Sequence, residues 1–146
     1  MDNKKISRYH AIYDINRRVA QNISNSLHNK TKLILMGLND SDCVERLKHY
    51  YDIVTSREQK TINYTRATEA ETELLWNMAN VEHERWIASH KLMGYTYDAK
   101  NDVVRKFHKN IYPLEELDEM TQSYDCNVVD TTIKMEYEKM IKNIKK

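Results

Sequence analysis

Apolar side chains recur at steps of three and four along several stretches of the chain, which is the spacing of one face of an α-helix. The first stretch predicts a helix over residues 6–28. Residues 32–38 then form a short apolar segment, whose length fits either a strand or the buried end of a loop. A helix start at residues 39–42 precedes the second helical stripe, which consists of Val44, Leu47, Tyr51 and Val54.

The central part of the sequence predicts the helix with the most apolar surface. Thr68 and Glu71 have the spacing of a capping box, and Gly94 stands where a C-terminal cap is expected. Between them, apolar residues occur on more than one side of the helix, so a helix over residues 68–93 is expected at the centre of the core. The polar stretch 55–66 is interpreted as a loop, and as a candidate for a mobile one.

The periodicity changes after Gly94. Two short strands around a turn, at residues 95–97 and 103–106, predict a β-hairpin. Pro113 is expected to open a short acidic helix that reaches about residue 120, and Asp125 is expected to cap the last helix. The predicted fold is therefore mainly α, a small helical domain of antiparallel helices with a short β-hairpin.

Composition agrees with a helical fold, since the 146 residues include only two glycines and one proline. A glycine-rich phosphate-binding loop is therefore excluded. The 23 basic and 22 acidic residues give a net charge of +1, whereas proteins that follow the phosphates of DNA or RNA usually carry a strong basic excess. No apolar run reaches the ~20 residues of a membrane span, and the first residues lack the apolar region of a secretory signal. We expect a cytoplasmic protein that binds neither nucleic-acid grooves nor membranes.

Metal and nucleophile chemistry find little support in the sequence. His83 and His90 are two helical turns apart, about 10 Å along the axis, which is too far to share one zinc ion. Cys43 and Cys126 form no CxxC pair and are interpreted as reduced thiols, Cys126 as a small buried residue. No combination of base, nucleophile and oxyanion donors is recognisable. We therefore expect no metal, no cofactor and no enzymatic activity.

Trp86 has two interpretations on the central helix: it belongs to the core, or it provides a flat surface on which a planar ring stacks. Stacking of an anionic ligand requires nearby cations. If the hairpin folds back on the helix, they are supplied by Arg85, Lys91, Arg105, Lys106 and His108. Because alternate residues of a strand point to the same side, Lys106 and His108 are expected to face the helix and Arg105 to face away.

Several motifs occur in one order over residues 72–135, namely His83-x-Arg85-Trp86, Gly94-Tyr95-x-Tyr97, Lys106-x-His108, Tyr112-Pro113-x-x-x-Leu117 and Tyr124-Asp125-x-Asn127. Together they resemble the repeat domain named after ryanodine receptors, which also occurs in bacterial and phage proteins. The run Asp14-Ile-Asn16-Arg17-x-x-Ala20 is similar to a segment often found upstream of that domain. On this resemblance, residues 1–146 form a single domain in which residues 1–60 are a helical extension packed with the repeat.

The resemblance implies a ligand-binding module for a nucleotide or a nucleotide-derived signal, in a family for which no enzymatic activity is established. Trp86 would stack on the base, and the neighbouring basic side chains would face phosphates. The ligand-binding residues expected by this analogy are His83, Arg85, Trp86, Tyr95, Tyr97, Arg105, Lys106 and His108. The alternative is a helical module that binds a protein partner or forms a homodimer, with the same aromatic residues in its core and no small ligand.

Overall fold

A computed structural model of the chain describes residues 18–19, 23–25, 27–39 and 43–144. Their elements follow in the order α1 (27–35), α2 (Val44–Thr55), α3 (Glu69–Leu92), β1 (Thr96–Tyr97), β2 (Phe107–His108), a 3-10 turn (Leu114–Glu116) and α4 (Glu119–Ile144). The structure is mainly helical, and the described residues contain one sheet of two strands, which confirms the predicted mainly α fold class. No helix in these ranges is long and apolar enough to cross a membrane.

The first helix ends later than the sequence indicated. Much of the predicted helix over residues 6–28 lies outside the described residues, as do positions 40–42 of the predicted start of α2. The helix α1 continues through residue 35, so the segment 32–38 is neither a strand nor a loop over most of its length. Leu33, Met36 and Leu38 are buried, whereas Ile34 and Leu35 on the other side of the helix are exposed.

Both glycines of the chain end helices. Gly37 has a φ of 69° and Gly94 a φ of 92°, in the left-handed region that favours glycine. The residue after each glycine donates its N–H to the carbonyl five residues back, at 2.8 Å after α1 and 2.9 Å after α3, as in a Schellman motif. The predicted cap at Gly94 is confirmed, as is the capping box of Thr68 and Glu71 at the start of α3.

The helix α4 packs against both α2 and α3. Tyr51 of α2 meets Tyr137 of α4, and Arg57, just beyond α2, meets Asp130, so the two helices are antiparallel. All four helices contribute to one apolar cluster, so α1 shares a core with the rest of the described chain. Its buried members are Leu33, Met36, Leu38, Leu47, Tyr50, Ile53, Val54, Tyr64, Leu75, Met78, Val129 and Ile133. The division into residues 1–60 and 72–135 stays a prediction.

The two strands pair, but the predicted hairpin is wrong. β1 and β2 are parallel, with Thr96 opposite Phe107, and β2 follows the predicted range 103–106 rather than occupying it. The reason is a further chain reversal before β2. Asp102 and Phe107 form an isolated antiparallel bridge, with two N–H···O bonds of 3.0 and 2.8 Å. After this reversal, β2 runs beside β1 in the same direction as β1.

The last helix is capped by Asp118, and the prediction of a cap at Asp125 is wrong. An Asp118 carboxylate oxygen accepts the N–H of Thr121 at 2.7 Å, the bond of an N-cap residue, and α4 begins immediately after Asp118. Pro113 precedes the 3-10 turn Leu114–Glu116 rather than a helix that reaches residue 120. Asp125 is thereby placed inside α4, where its carboxylate points to a neighbouring helix.

The polar stretch 55–66 is bound to α4 instead of being an unattached surface loop. Arg57 Nε donates to one carboxylate oxygen of Asp130 at 2.6 Å, and the Tyr64 hydroxyl donates to the other at 2.9 Å. The guanidinium and carboxylate are both buried. The sequence did not reveal this pairing because the partners are far apart along the chain.

Candidate functional site

A pocket of about 330 Å³ opens beside α3 and α4. Four of the predicted ligand-binding residues, His83, Arg85, Trp86 and His108, line it. The other lining residues are Asn25, Glu82, Asn110, Thr121, Tyr124, Asp125 and Val128. Ligand pockets typically enclose about 300–1,000 Å³, so this pocket is suited to one small molecule.

Three imidazole rings surround the Trp86 indole. His90 covers one face with its ring centroid 3.9 Å away, and His83 lies nearly parallel at 5.8 Å. His108 contacts the indole edge-on at 4.7 Å. His83 and His90 are three residues before and four after Trp86, so one face of α3 presents the indole with these two imidazoles, whereas His108 approaches from β2. Trp86 is half-buried, and it is at once a packing residue and a wall of the pocket.

One wall of the pocket contains the buried carboxylate of Glu82, which forms ion pairs with two cations. Lys32 Nζ lies 2.6 Å from one oxygen, and Arg85 donates to both oxygens at 2.5–3.0 Å. Burial alone would raise the pKa of Glu82, but hydrogen bonds from Arg85 and Lys32 hold it below its usual value. Sequence reasoning missed Lys32 and Glu82, because a fully buried lysine on another helix leaves no local signal.

The same two cations, Lys32 and Arg85, also bind the side chains of Ser24 and Asn25, which precede α1. Arg85 Nη1 donates to the Ser24 hydroxyl at 3.0 Å, and the hydroxyls of Ser24 and Ser89 are also 3.0 Å apart. Lys32 Nζ donates to the Asn25 side-chain oxygen at 2.7 Å. The guanidinium and ammonium groups beside the pocket are therefore held in fixed positions.

His83 joins three parts of the fold. Its Nδ1 is 3.1 Å from a carboxylate oxygen of Asp125 on α4, and its Nε2 is 2.7 Å from the Tyr112 carbonyl oxygen. Both partners are acceptors, so the doubly protonated ring satisfies them best. Burial lowers the pKa of His83, but the hydrogen bonds to Asp125 and to the Tyr112 carbonyl outweigh it, and the pKa is raised overall. The two acceptors therefore favour the imidazolium form of His83, while burial raises the pKa of its partner Asp125.

His108 has the opposite protonation. Its Nδ1 accepts the backbone N–H of Asn110 at 3.1 Å, which requires a lone pair on that nitrogen. The ring is therefore neutral in this arrangement, with its proton on Nε2. We predicted His108 as a cation that faces phosphate, but the contact with Asn110 disfavours that charge.

The two predicted tyrosines lie outside the pocket. Tyr95 is 3% exposed and packs edge-on against His90, with ring centroids 5.1 Å apart. It supports the ring that covers Trp86. Tyr97 is half exposed and lies against Tyr112, with ring centroids 5.3 Å apart. Neither is among the residues that line the pocket.

Arg105 and Lys106 are likewise separate from the pocket lining. The Arg105 side chain is largely exposed and lies 3.7 Å from the Asp102 carboxylate. Lys106 has a φ of 58°, so it precedes β2 in a left-handed conformation, and the strand alternation that we used to place it beside His108 does not apply. Its side chain instead runs past Gly94, with its Cδ 3.3 Å from where a Cβ would stand.

Within the described ranges, no group of three or more His, Cys, Asp or Glu residues could hold a metal ion. Cys126 is 1% exposed, and burial raises the pKa of its thiol to about 11. This confirms the interpretation of Cys126 as a small buried residue rather than a reactive thiolate.

Comparison with known proteins finds no relative on which a function could be based. No model of a known protein family matches the chain, and no curated protein or solved structure matches it. The resemblance to the ryanodine receptor repeat therefore stays a prediction, and a functional hypothesis depends on the chemistry of the pocket itself.

Proposed function

We propose that the chain is a binding module for a mononucleotide-sized ligand, held in the pocket lined by Trp86, Arg85 and His83. The observation that carries this proposal is the presence of an indole ring, a guanidinium and an imidazolium in one pocket of about 330 Å³. Aromatic side chains stack on every nucleobase, and cations attract phosphate oxygens. Because His90 covers one face of the indole, a base would stack on the part that faces the pocket.

Neutral polar groups on the pocket walls support a ligand with hydrogen-bonding edges. Asn25 and Asn110 carry side-chain amides, and Thr121 and Tyr124 carry hydroxyls. Polar groups placed beside an aromatic ring are typical of sites that orient a small planar ligand. The proposal agrees with the resemblance to the ryanodine receptor repeat, and family membership is proposed with it.

A second candidate function is the docking of a protein partner, as the alternative interpretation of the sequence has it. It is favoured by an exposed aromatic pair, Tyr97 and Tyr112, and by the 90% exposed Leu92 at the end of α3. These side chains are outside the pocket, so a variant that fills the pocket would leave this second function intact.

The proposed function is tested by titration calorimetry with nucleoside monophosphates and their cyclic forms. Thr121→Phe places a ring into the pocket from α4, whereas Thr131→Phe makes the same change at an exposed position of the same helix. We expect the wild type and Thr131→Phe to bind, and Thr121→Phe to bind about 10-fold more weakly or worse, a loss of about 1.4 kcal/mol. Equal binding by all three proteins would show that the nucleotide does not bind in this pocket.

A further inference from the structure

The charges around the pocket restrict the charge of its ligand. Among the described groups, Lys32, Arg85 and the imidazolium of His83 are positive, and the carboxylates of Glu82 and Asp125 are negative. All five side chains are mostly buried, so water and salt screen them weakly. Burial lowers the pKa of Lys32 and raises that of Asp125, but each lies within 3.1 Å of a partner of opposite charge, so both are counted as charged and the formal sum is one positive charge. His108 adds nothing to this sum because its Nδ1 accepts a hydrogen bond, and His28 adds nothing because burial lowers its pKa.

The cations are also arranged unlike a polyphosphate site. The Nε and Nη2 edge of Arg85 binds Glu82, which is the edge that a guanidinium offers to a phosphate in a bidentate contact. Both ring nitrogens of His83 contact acceptors of the protein. A ligand phosphate would therefore meet the positive field of these groups, and it would also meet two carboxylates that line the same walls.

From this arrangement we infer that the pocket selects a nucleotide with a single negative charge, a cyclic phosphodiester, over nucleotides with a terminal phosphate. A phosphodiester carries one charge, which balances the one positive charge of the walls. A terminal phosphate carries about −1.5 to −2 at pH 7, and each further phosphate adds to it, so part of its charge would stay unbalanced between mostly buried walls, where an uncompensated charge is costly. The inference rests on the proposed function, since it names the ligand class of the same pocket.

Two ligands that share base and sugar test the inference on the wild-type protein. At pH 7.5, calorimetry should show adenosine 3′,5′-cyclic monophosphate binding at least about 10-fold more tightly than adenosine 5′-monophosphate, with the guanosine pair behaving alike. At pH 5.5 the 5′-monophosphate is mostly singly charged, because its second pKa is about 6. The difference between the two ligands should then shrink to a few-fold.

A pair of variants tests whether the Asp125 carboxylate discriminates between the two ligands. Asp125→Asn removes one negative charge from the pocket and retains an oxygen that accepts from His83. It should strengthen binding of the 5′-monophosphate and so reduce the ratio between the affinities for the cyclic nucleotide and the 5′-monophosphate. Glu84→Gln removes a charge from an exposed position of the same helix as His83, outside this pocket, and should leave the ratio unchanged. The wild-type pH comparison decides the matter if Asp125→Asn does not fold.

Three results would overturn the inference. If 5′-mono- or triphosphates bind as tightly as cyclic nucleotides at pH 7.5, the ligand class is wrong while the proposed function stands. If adenosine binds as tightly as its cyclic phosphate, the charge of the ligand is irrelevant and the inference fails in the same way. If none of these compounds binds, the proposed function itself fails.

Discussion

At the scale of single residues, the partners of a side chain decide its charge in this protein. His83 and His108 both line the pocket, yet His83 contacts two acceptors whereas His108 contacts a backbone donor. The first ring is therefore a cation and the second is neutral. Trp86 lies between them and is at once a wall of the pocket and a packing residue, so its two functions are separable only by a change that preserves most of its volume.

The variant Trp86→Phe makes that change. A phenyl ring fills much of the space between His83 and His90 but offers a smaller surface to a base, so folding should persist and nucleotide affinity should fall. Stacking of a base is worth about 1–3 kcal/mol, so a partial loss corresponds to a decrease of roughly 3- to 10-fold in affinity. Calorimetry measures it, and thermal unfolding checks the fold. Trp76→Phe on the same helix is the control, because Trp76 is outside the pocket and packs at another cluster. Unchanged nucleotide affinity in Trp86→Phe would show that the indole is not part of the binding site.

His83 makes stability depend on pH. Its folded-state pKa is raised above the ordinary value of about 6.5, so its contribution is fully present below pH 6.5 and is lost as the pH rises through the folded-state pKa. Between the two values, the free energy of unfolding should fall by up to about 1.4 kcal/mol per pH unit. Urea unfolding from pH 6 to pH 9 should show this fall in the wild type and a smaller one in His83→Gln.

The matched control for this pH effect is His49→Gln. His49 also contacts a carboxylate, that of Glu71, but its side chain is 57% exposed, so water screens the pair. This variant should retain the wild-type slope. An identical slope in His83→Gln would show that the buried imidazolium is not responsible for the pH dependence.

At the scale of elements, the ends of helices determine where the pocket residues lie. The Schellman motif at Gly94 ends α3 and directs Tyr95 into the core, where it supports His90 behind the indole. The cap at Asp118 starts α4 early enough that Asp125 lies within the helix and reaches His83. Shifted helix ends would separate these side chains even if the apolar stripes stayed the same.

Gly94→Ala should therefore destabilise the protein by about 1–2 kcal/mol, the usual cost of a left-handed conformation for a residue with a Cβ. The new methyl group would also stand 3.3 Å from Lys106 Cδ, so the lysine side chain must shift. Chemical denaturation measures the change. Gly94→Asn should cost less, because asparagine adopts left-handed conformations more readily than alanine. A neutral Gly94→Ala would mean that α3 can end in another way.

At the scale of the whole molecule, buried polar groups hold distant segments of the chain together. Lys32 of α1 meets Glu82 of α3, and Arg57 after α2 meets Asp130 of α4. Because each pair is buried, the cost of removing the two charges from water offsets much of their attraction. An arrangement of the helices that left one of these charges buried without its partner would be strongly destabilised. These contacts specify how helices with similar apolar stripes are arranged.

Arg57→Met should be among the most destabilising single changes, because it leaves the Asp130 carboxylate buried without its cation. Breaking a buried pair in this way costs about 3–5 kcal/mol. The double variant Arg57→Met with Asp130→Asn should recover part of the loss, since the amide is neutral and its oxygen can accept from Tyr64. Urea unfolding compares them, with Arg66→Met, an exposed arginine, expected to change stability by less than about 0.5 kcal/mol. A double variant no better than the single one would contradict the charge explanation.

The sequence by itself determined the features that depend on nearest neighbours along the chain. The capping box at Thr68 and the cap at Gly94 follow from local hydrogen bonds. The apolar stripe of α2 was predicted only in part, because the buried face consists of Leu47, Tyr50, Ile53 and Val54, without Val44 and Tyr51. The fold class follows from the same signals. His83, Arg85 and Trp86 were identified as candidates from one short motif on α3 and from the resemblance to the ryanodine receptor repeat, so their proximity required no tertiary information.

Only the tertiary structure decided which side chains meet and which of them are charged. The sequence predicted the cations of the site at Arg85, Arg105, Lys106 and His108, but a left-handed residue and an extra chain reversal before β2 separate Arg105 and Lys106 from the pocket. Arg85 lines the pocket, and the buried Lys32, which the sequence did not indicate, pairs beside it with Glu82 from another helix. The physical reason is that burial of a charge depends on partners distant in sequence, and the pKa of a group depends on that burial. The periodicity and the helix caps along the chain indicate neither which charges are buried nor how their pKa values are shifted.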